Sequence, residues 1–385
     1  KIIASVQEDD VLVVRDNDRH NYLDPVLSIE GLPAGSTYQR AEFTPETSLV
    51  DTSTFEINLV SNEPALNGKL DWTVGAFYMD HEIENVIRGY RDDDLDGRIK
   101  YLCDESFADP SYCYDHDYGI PGRFDIFGPN AEVDFFTDAN PSRESYSVYA
   151  QTTYSLSDAF RIVSGLRYSE DTFTTDVTNF LNVESFQEEG TTDEITSRVV
   201  AEVDFSEDLM GYFALAKGFK PGGSNLTFGF DDDNAPPMVF PTFEAETVDS
   251  VEFGLKSTFA DGAARANIAV FSYTYENLQF QATDPDIYRG GVANIPESEM
   301  SGLEIEFTGF LTDSLSLDMN LAFLDSEVTS DYEVLDNVDA YPYFFGEEDI
   351  RYGLRENVKG NQLAKTPELT ADITLKHETN LASGN

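Results

Sequence analysis

Residues 315 to 323 read LSLDMNLAF, and this alternation constrains the fold more than any other feature of the chain. Leu315, Leu317, Met319, Leu321 and Phe323 share one face of an extended strand, and Ser316, Asp318, Asn320 and Ala322 share the other. The same period of two recurs elsewhere. In 146–154, Tyr146, Val148, Ala150 and Tyr154 oppose Ser147, Gln151 and Thr153. In 160–168, Phe160, Ile162, Leu166 and Tyr168 oppose Arg161 and Arg167. Leu70, Trp72, Val74 and Tyr78 oppose Asp71 and Thr73, and Leu369, Ala371, Ile373 and Leu375 oppose Thr370, Asp372 and Thr374. Each segment predicts a strand with one apolar and one wet face, so the fold class is all-β.

The connections alternate as well. Short turns are expected at SLSD (155–158), SED (206–208), ADGAA (260–264) and LTDS (311–314). Between these hairpins lie acidic, Gly/Pro-rich stretches, read as long loops at about 81–143, 172–193, 221–244, 282–296 and 328–360. Regular alternation of short and long connections gathers the long ones at one end of the sheet. Two architectures accept such strands. A soluble sandwich buries the apolar face against a second sheet. A large antiparallel transmembrane β-barrel turns that face to lipid and encloses a polar lumen, with aromatics bordering the apolar band. The one-sided long loops, and Tyr or Phe at strand ends, favour the barrel.

Composition narrows the partners. The 385 residues carry 73 acidic and 24 basic side chains, a formal charge of -49, so nucleic acid is not an expected partner. An aromatic content of 13% separates the chain from disordered acidic proteins. No run of 18 apolar residues exists, so no transmembrane helix is expected. The opening KIIASV lacks a signal-peptide pattern, and the protein's own N-terminus is expected upstream of it. The closing HETNLASGN reads as a short turn after a strand, with residues 377–385 as a periplasmic turn and more strands beyond.

Several stretches carry a family resemblance. YFALAKGFKPGGSN (212–225), with Gly218, Phe219, Lys220, Gly222, Gly223 and Asn225, resembles the barrel signature of TonB-dependent outer-membrane receptors. So do TFEINLVSNEPALNGKLDWTVGAFY (54–78), SYSVYAQTTYSLSDAFRIVSGLRYSED (145–171), FEAETVDSVEFGLKSTF (243–259), ANIPESEMSGLEIEF (293–307) and KGNQLAKTPELTADITL (359–375), in the same order. The resemblance covers about 50–376, and residues 1–50 are assigned only to early barrel strand and loop. It implies a barrel of about 22 strands with a plugged lumen, of which roughly half is in this chain. It also implies an N-terminal plug that contacts TonB, and a ligand caught by extracellular loops. No plug and no last strands are recognisable here. Within the signature, Gly218 relieves crowding or allows a bend, and Pro221, Gly222 and Gly223 end the ladder and turn the chain into a loop. Lys217 and Lys220 are candidates to meet lumen or rim carboxylates. A phosphate cradle at this glycine-rich turn is the alternative, but neither the P-loop nor the dinucleotide spacing is present.

Among local motifs, DDDLDGRIKYLC (92–103) places Asp92, Asp94, Asp96 and Gly97 as the first half of a calcium loop. Cys103 stands where the twelfth-position Glu belongs, so a solvated acidic loop is the alternative. Cys103 and Cys113, the only cysteines, share the same stretch and are expected to form a disulfide in an oxidising compartment. No cofactor is required, with Ca2+ in this loop as the one candidate ion. No GxSxG, HExxH or CxxC occurs, and His20, His81, His116 and His377 lie in no triad-like setting, so no enzyme is expected. The expectation is an integral outer-membrane receptor of a Gram-negative bacterium that imports a scarce nutrient, such as an iron-siderophore complex or another bulky ligand. Its partners are outer-membrane lipid and lipopolysaccharide, the TonB complex through the plug, and a small-molecule or metal-chelate ligand. The alternatives are a passive porin-like channel and an acidic, calcium-stabilised surface adhesin.

Overall fold

A computed structural model of the chain describes residues 1–16, 41–92, 132–179, 184–225, 242–283, 290–335 and 355–379. Sixteen strands occur among them. They are β1 (Ile2–Asp16), β2 (Ala41–Val60), β3 (Leu70–Asp92), β4 (Glu132–Ser155), β5 (Phe160–Asn179), β6 (Glu184–Ser206), β7 (Leu209–Lys220) and β8 (Gly223–Ser224). The others are β9 (Thr242–Phe243), β10 (Glu246–Phe259), β11 (Ala264–Thr283), β12 (Gly290–Thr312), β13 (Leu315–Val328), β14 (Glu333–Leu335), β15 (Arg355–Asn357) and β16 (Leu369–His377). One left-handed turn, α1 (Ala65–Gly68), joins β2 to β3, with Leu66 and Asn67 at positive φ. Twelve strands form a single antiparallel sheet in the order β1-β2-β3-β4-β5-β6-β7-β10-β11-β12-β13-β16. Each pairs with the next long strand in sequence, so the sheet is a meander. The pairs β8–β9 and β14–β15 stand apart from it.

The apolar face of this sheet is exposed. Phe213, Phe253, Val270, Leu303, Phe323 and Leu369 are register partners on six successive strands, and they form a continuous lateral row. Phe253 is 53% and Val270 52% exposed. Among the described residues no second sheet covers this row, as a soluble sandwich would require. An uncovered apolar band of this breadth needs lipid as its solvent. On β4 the band runs from Tyr146 to Tyr154, about 27 Å along the strand at about 3.4 Å per residue. At a strand tilt of about 35–45° this spans about 19–22 Å of membrane depth, close to a band of about 25 Å between aromatic borders. The upper border is built from Tyr78, Tyr146 and Tyr168 on adjacent strands. Tyr78 donates to Glu144 at 2.8 Å, and Tyr146 and Tyr168 both donate to Glu170. Aromatic body in lipid with hydroxyl on a wet carboxylate is the arrangement such an interface selects.

Eleven of the twelve strands in the main sheet are longer than the ten-residue template, and β16 has nine residues. The tight turns fall at 156–159, 207–208, 260–263 and 313–314, and all lie at one end. At the other end several stretches expected to be loops are ladder. Residues 172–179 continue β5 and 184–193 begin β6, paired from Thr172↔Thr191 to Asn179↔Glu184. β3 runs to Asp92 and β4 starts at Glu132, so the 81–143 stretch is strand at both ends. Within 282–296, β11 reaches Thr283 and β12 starts at Gly290. The early region is also regular, with β1 and β2 paired from Ile2↔Ile57 to Asp16↔Phe43.

The physical reason is an inversion of phase. Below Glu170 the outward residues of β5, Leu166 and Tyr168, are apolar. Above it the inward residues Phe173, Thr175 and Val177 are the buried ones, with Val177 1% exposed. Thr172, Thr174 and Asp176 face outward into water. A strand wet on its outer face and packed on its inner face loses the outward apolar signal that marks the membrane band.

The sheet curls. Ser224 Oγ donates to Thr175 Oγ1 on β5 at 2.5 Å, and the next residue, Asn225, binds Val292 on β12. From β5 to β12 the sheet order contains five strand spacings, about 24 Å along the sheet. Two consecutive residues bridge that arc, so the face opposite the apolar belt is concave and forms an inner wall.

Candidate functional site on the inner wall

The inner wall is polar and its charges are organised by register. On β4, Arg143, Ser145, Ser147 and Tyr149 alternate inward. On β5, Arg161, Gly165, Arg167, Ser169 and Asp171 do the same, and on β6 Glu194, Thr196, Arg198 and Glu202. Near the short turns, Arg161 is held by Glu202 (2.5 Å) and Asp204 (2.5 and 3.3 Å). Higher on the wall, Asp171 accepts from Ser145 Oγ, and Arg143 Nη1 lies 3.8 Å from it.

Between these groups lies a concavity of about 430 Å³ lined by Phe77, Met79, Ser145, Arg167, Ser169, Asp171, Thr196 and Lys217 to Phe219. Arg167 is its most constrained side chain. Its Cζ lies 5.7 Å from the Phe77 ring centroid and 5.5 Å from that of Tyr149, and its Nε donates to Ser169 Oγ at 3.0 Å. Tyr149 is fixed in turn, donating to Glu56 Oε1 (2.5 Å) and Asn58 Oδ1 (2.6 Å). The ring lies over Gly75, where a Cβ would sit 2.5 Å from Tyr149 Oη and 2.6 Å from Asn58 Oδ1. Only glycine admits the tyrosine there.

The KGFKPGG turn takes a form the sequence reading did not anticipate. It does not simply leave the wall for an external loop. Arg143 Nη2 donates to Gly222 O at 2.7 Å, and Gln279 Nε2 donates to Pro221 O at 2.9 Å. β8 then pairs with β9, so Gly223 lies against Phe243 and Ser224 against Thr242. A Cβ on Gly222 would approach Phe243 O to 2.6 Å, and one on Gly223 the Phe243 ring to 2.6 Å. The two glycines let β9 close over the turn. A phosphate cradle presents backbone N–H groups to solvent, whereas here Gly222 offers a carbonyl to Arg143. Asn225, 5% exposed, completes the strap. Its Nδ2 donates to Val292 O at 2.8 Å, and Val292 N donates to its Oδ1 at 2.7 Å. β13 pairs with β12 only from Ser298 downward. Above that point the amide of Asn225 takes the place of a strand partner at Val292 among the described residues.

Of the other signature residues, Phe219 and Gly218 line the concavity, and a Cβ on Gly218 would lie 3.3 Å from Val248 Cγ1. Lys217 Nζ meets Glu194 at 3.2 Å, as expected of a cation facing wall carboxylates. Lys220 ends β7 and makes no carboxylate pair among the described residues. Asp92 is the last residue of β3, while Asp94, Asp96, Cys103 and Cys113 lie outside the described residues. Sequence reasoning placed Arg167 on a polar face without assigning it a role. The spacing that positions it, Gly75 opposite Tyr149 on neighbouring strands, becomes visible only once register is known.

Comparison with known proteins agrees with this architecture. A family model described as TonB dependent receptor-like, beta-barrel, matches residues 9–384. The pesticin receptor of Yersinia pestis is 28% identical over 200 residues, covering 50% of this chain and 27% of that protein. The probable TonB-dependent siderophore receptor PiuA of Acinetobacter baumannii is 26% identical over 297 residues, covering 73% of this chain and 37% of that protein. Among solved structures, the ferric yersiniabactin uptake receptor FyuA from Yersinia pestis superposes with a TM-score of 0.59 at 15% identity. That superposition covers 91% of this chain and 43% of the solved one. The chain thus spans less than half the length of the relatives it matches. With a sheet that turns its apolar belt outward and its polar wall inward, the chain belongs to the β-barrel portion of the TonB-dependent receptors.

Proposed function

We propose that this chain is barrel wall of an outer-membrane receptor that takes up a scarce nutrient, a ferric siderophore or comparable bulky chelate, with energy delivered through TonB. The observation that carries the reading is the exposed apolar belt between aromatic borders, backed by a polar, strapped inner wall. The family match and the names of the relatives support the substrate class. The site is one for capture and passage. The organism is expected to be Gram-negative, with lipid and lipopolysaccharide around the belt.

Deletion of the gene tests the proposal. Growth on one ferric siderophore under iron limitation should fail in the deletion strain and equally in a strain lacking TonB. Uptake that persists without TonB or a proton gradient would establish a passive channel instead. Partition into the soluble fraction without detergent would favour the adhesin. Two further parts of the reading concern the stretch after β3. Calcium at Asp92, Asp94 and Asp96 should give saturable binding that D94N abolishes. A Cys103–Cys113 disulfide should leave both thiols unalkylated until reductant is added.

A further inference from the structure

We propose that Arg167 and Arg198 together form a carboxylate-binding point on the inner wall, just below the level of the upper aromatic border. The inward arginines of β4 and β5 differ in what they have left to give. Arg143 is engaged by Gly222 O and Asp171, and Arg161 by Glu202 and Asp204. Arg167 spends only its Nε, on Ser169. Among the described residues no carboxylate stands within 4.0 Å of its guanidinium. The rings of Phe77 and Tyr149 flank its Cζ at 5.7 and 5.5 Å, and its two terminal nitrogens make no hydrogen bond among the described residues.

Arg198 stands beside it. Arg167 pairs with Thr196 across β5 and β6, so Arg198 is the diagonal neighbour on the same face, with Cβ atoms about 7–8 Å apart. Its lateral partners are Gly165 and Ala216, too small to cover it, and its side chain is exposed with no carboxylate pair among the described residues. The nearby acids are already committed. Asp171 is bound by Ser145 and faces Arg143, Glu194 holds Lys217, and Glu56 receives Tyr149 and Asn58. In a chain with 73 acidic and 24 basic residues, two adjacent arginines on a concave wall with no carboxylate partner among the described residues are a site kept open. Ser147 adds an independent sign: it is 3% exposed, lies between Phe77 and Ser169 in the register, and its hydroxyl has no hydrogen-bond partner among the described residues. Two cations suit a ligand group with several anionic oxygens, and a carboxylate matches the planar fork of Arg167.

The carboxylate has two sources: a free polycarboxylate ligand passing along the wall, or an acidic side chain of a protein segment seated in the lumen. The proposal rests on reading the concave face as lumen. Because it concerns one point on that wall, siderophore uptake can fail with the site intact, and the site can fail with uptake intact. The test is phenylglyoxal modification of the full-length receptor in detergent, read by mass spectrometry at Arg167 and Arg198, with exposed Arg265 as internal reference. Citrate is the probe and glycerol its neutral control. With a free ligand as source, both arginines react as fast as Arg265, and millimolar citrate slows them at least about tenfold. With an internal acidic side chain as source, both react slowly at first and molar sodium chloride restores them. In the citrate-sensitive case, R198Q, with folding checked by heat-modifiable mobility, should remove most of the protection at Arg167. In the salt-sensitive case, R198Q should raise the rate at Arg167 without added salt. Reaction at the Arg265 rate that citrate does not change overturns the proposal. So does slow reaction that neither salt nor citrate changes, since burial alone then accounts for it. An R198Q variant in which Arg167 behaves as in the parent overturns the paired site.

Discussion

The Asn225 strap makes a quantitative claim about one backbone amide. Asn225→Ala removes both hydrogen bonds to Val292, at 2.8 and 2.7 Å, from a residue only 5% exposed. Because β13 does not pair with β12 at this level, no strand among the described residues replaces them on that flank of β12. Each unsatisfied backbone group costs about 1–3 kcal/mol, so the two together are worth about 2–6 kcal/mol. Water admitted from the lumen brings the expected loss to the lower end, about 2 kcal/mol, or about thirtyfold in a local opening equilibrium. Amide exchange in the detergent-solubilised receptor reads this at Val292. Its protection should fall at least about tenfold in the variant, while Val270, in the middle of the β10–β11–β12 ladder, stays unchanged. Unchanged protection at Val292 would refute the strap, and loss of equal size at Val270 would show a global effect in its place.

The other expectations are simpler to state. Leu215→Arg places a charge in the apolar belt and should cost about 2–4 kcal/mol, read as a lower folded fraction on heat-modifiable gels. Thr172→Arg, outward but above the border, should be tolerated in the same assay. Gly75→Ala drives a Cβ against Tyr149 and Asn58 and should cost about 1–3 kcal/mol, with partial rescue by Tyr149→Ala in a double-mutant cycle. Asp331 is held below the usual aspartate range by hydrogen bonds from Asn357 and then Lys359. A depressed folded-state value means its contribution is complete above the ordinary aspartate range and lost as pH falls through the lower, folded-state value. The β14–β15 pair should therefore loosen in strong acid, seen as amide exchange corrected for its intrinsic rate, and D331N should remove that pH dependence.

How much of this was legible without coordinates depends on where lipid ends. Between Tyr146 and Tyr154, or Phe160 and Tyr168, the contrast between hydrocarbon outside and water inside writes a period of two into the sequence. The tight turns at 156–159 and 313–314 were equally plain, because a hairpin forces its own residue chemistry. Above Glu170 that contrast is gone. The stretch TFTTDVTN resembles a polar loop, yet Phe173, Thr175 and Val177 carry a period-two signal on the opposite face. Looking for either phase would have found β5 to its end. The inner-wall site was hidden for a different reason. Arg143 and Gly222 are 79 residues apart, Asn225 and Val292 are 67 apart, and only sheet curvature brings each pair together. Local spacing holds no record of such contacts.

The prolonged strands also set how far the wall rises above the membrane. From Tyr168 at the lipid border to Asn179, β5 climbs eleven residues, about 37 Å along its length. At a tilt of about 35–45° this is a rise of about 26–30 Å above the hydrocarbon. Over β3 to β6 the wall therefore stands clear of the lipid headgroups, whereas β7 ends at Lys220 and β13 at Val328, so the wall is high on one flank and low on the other.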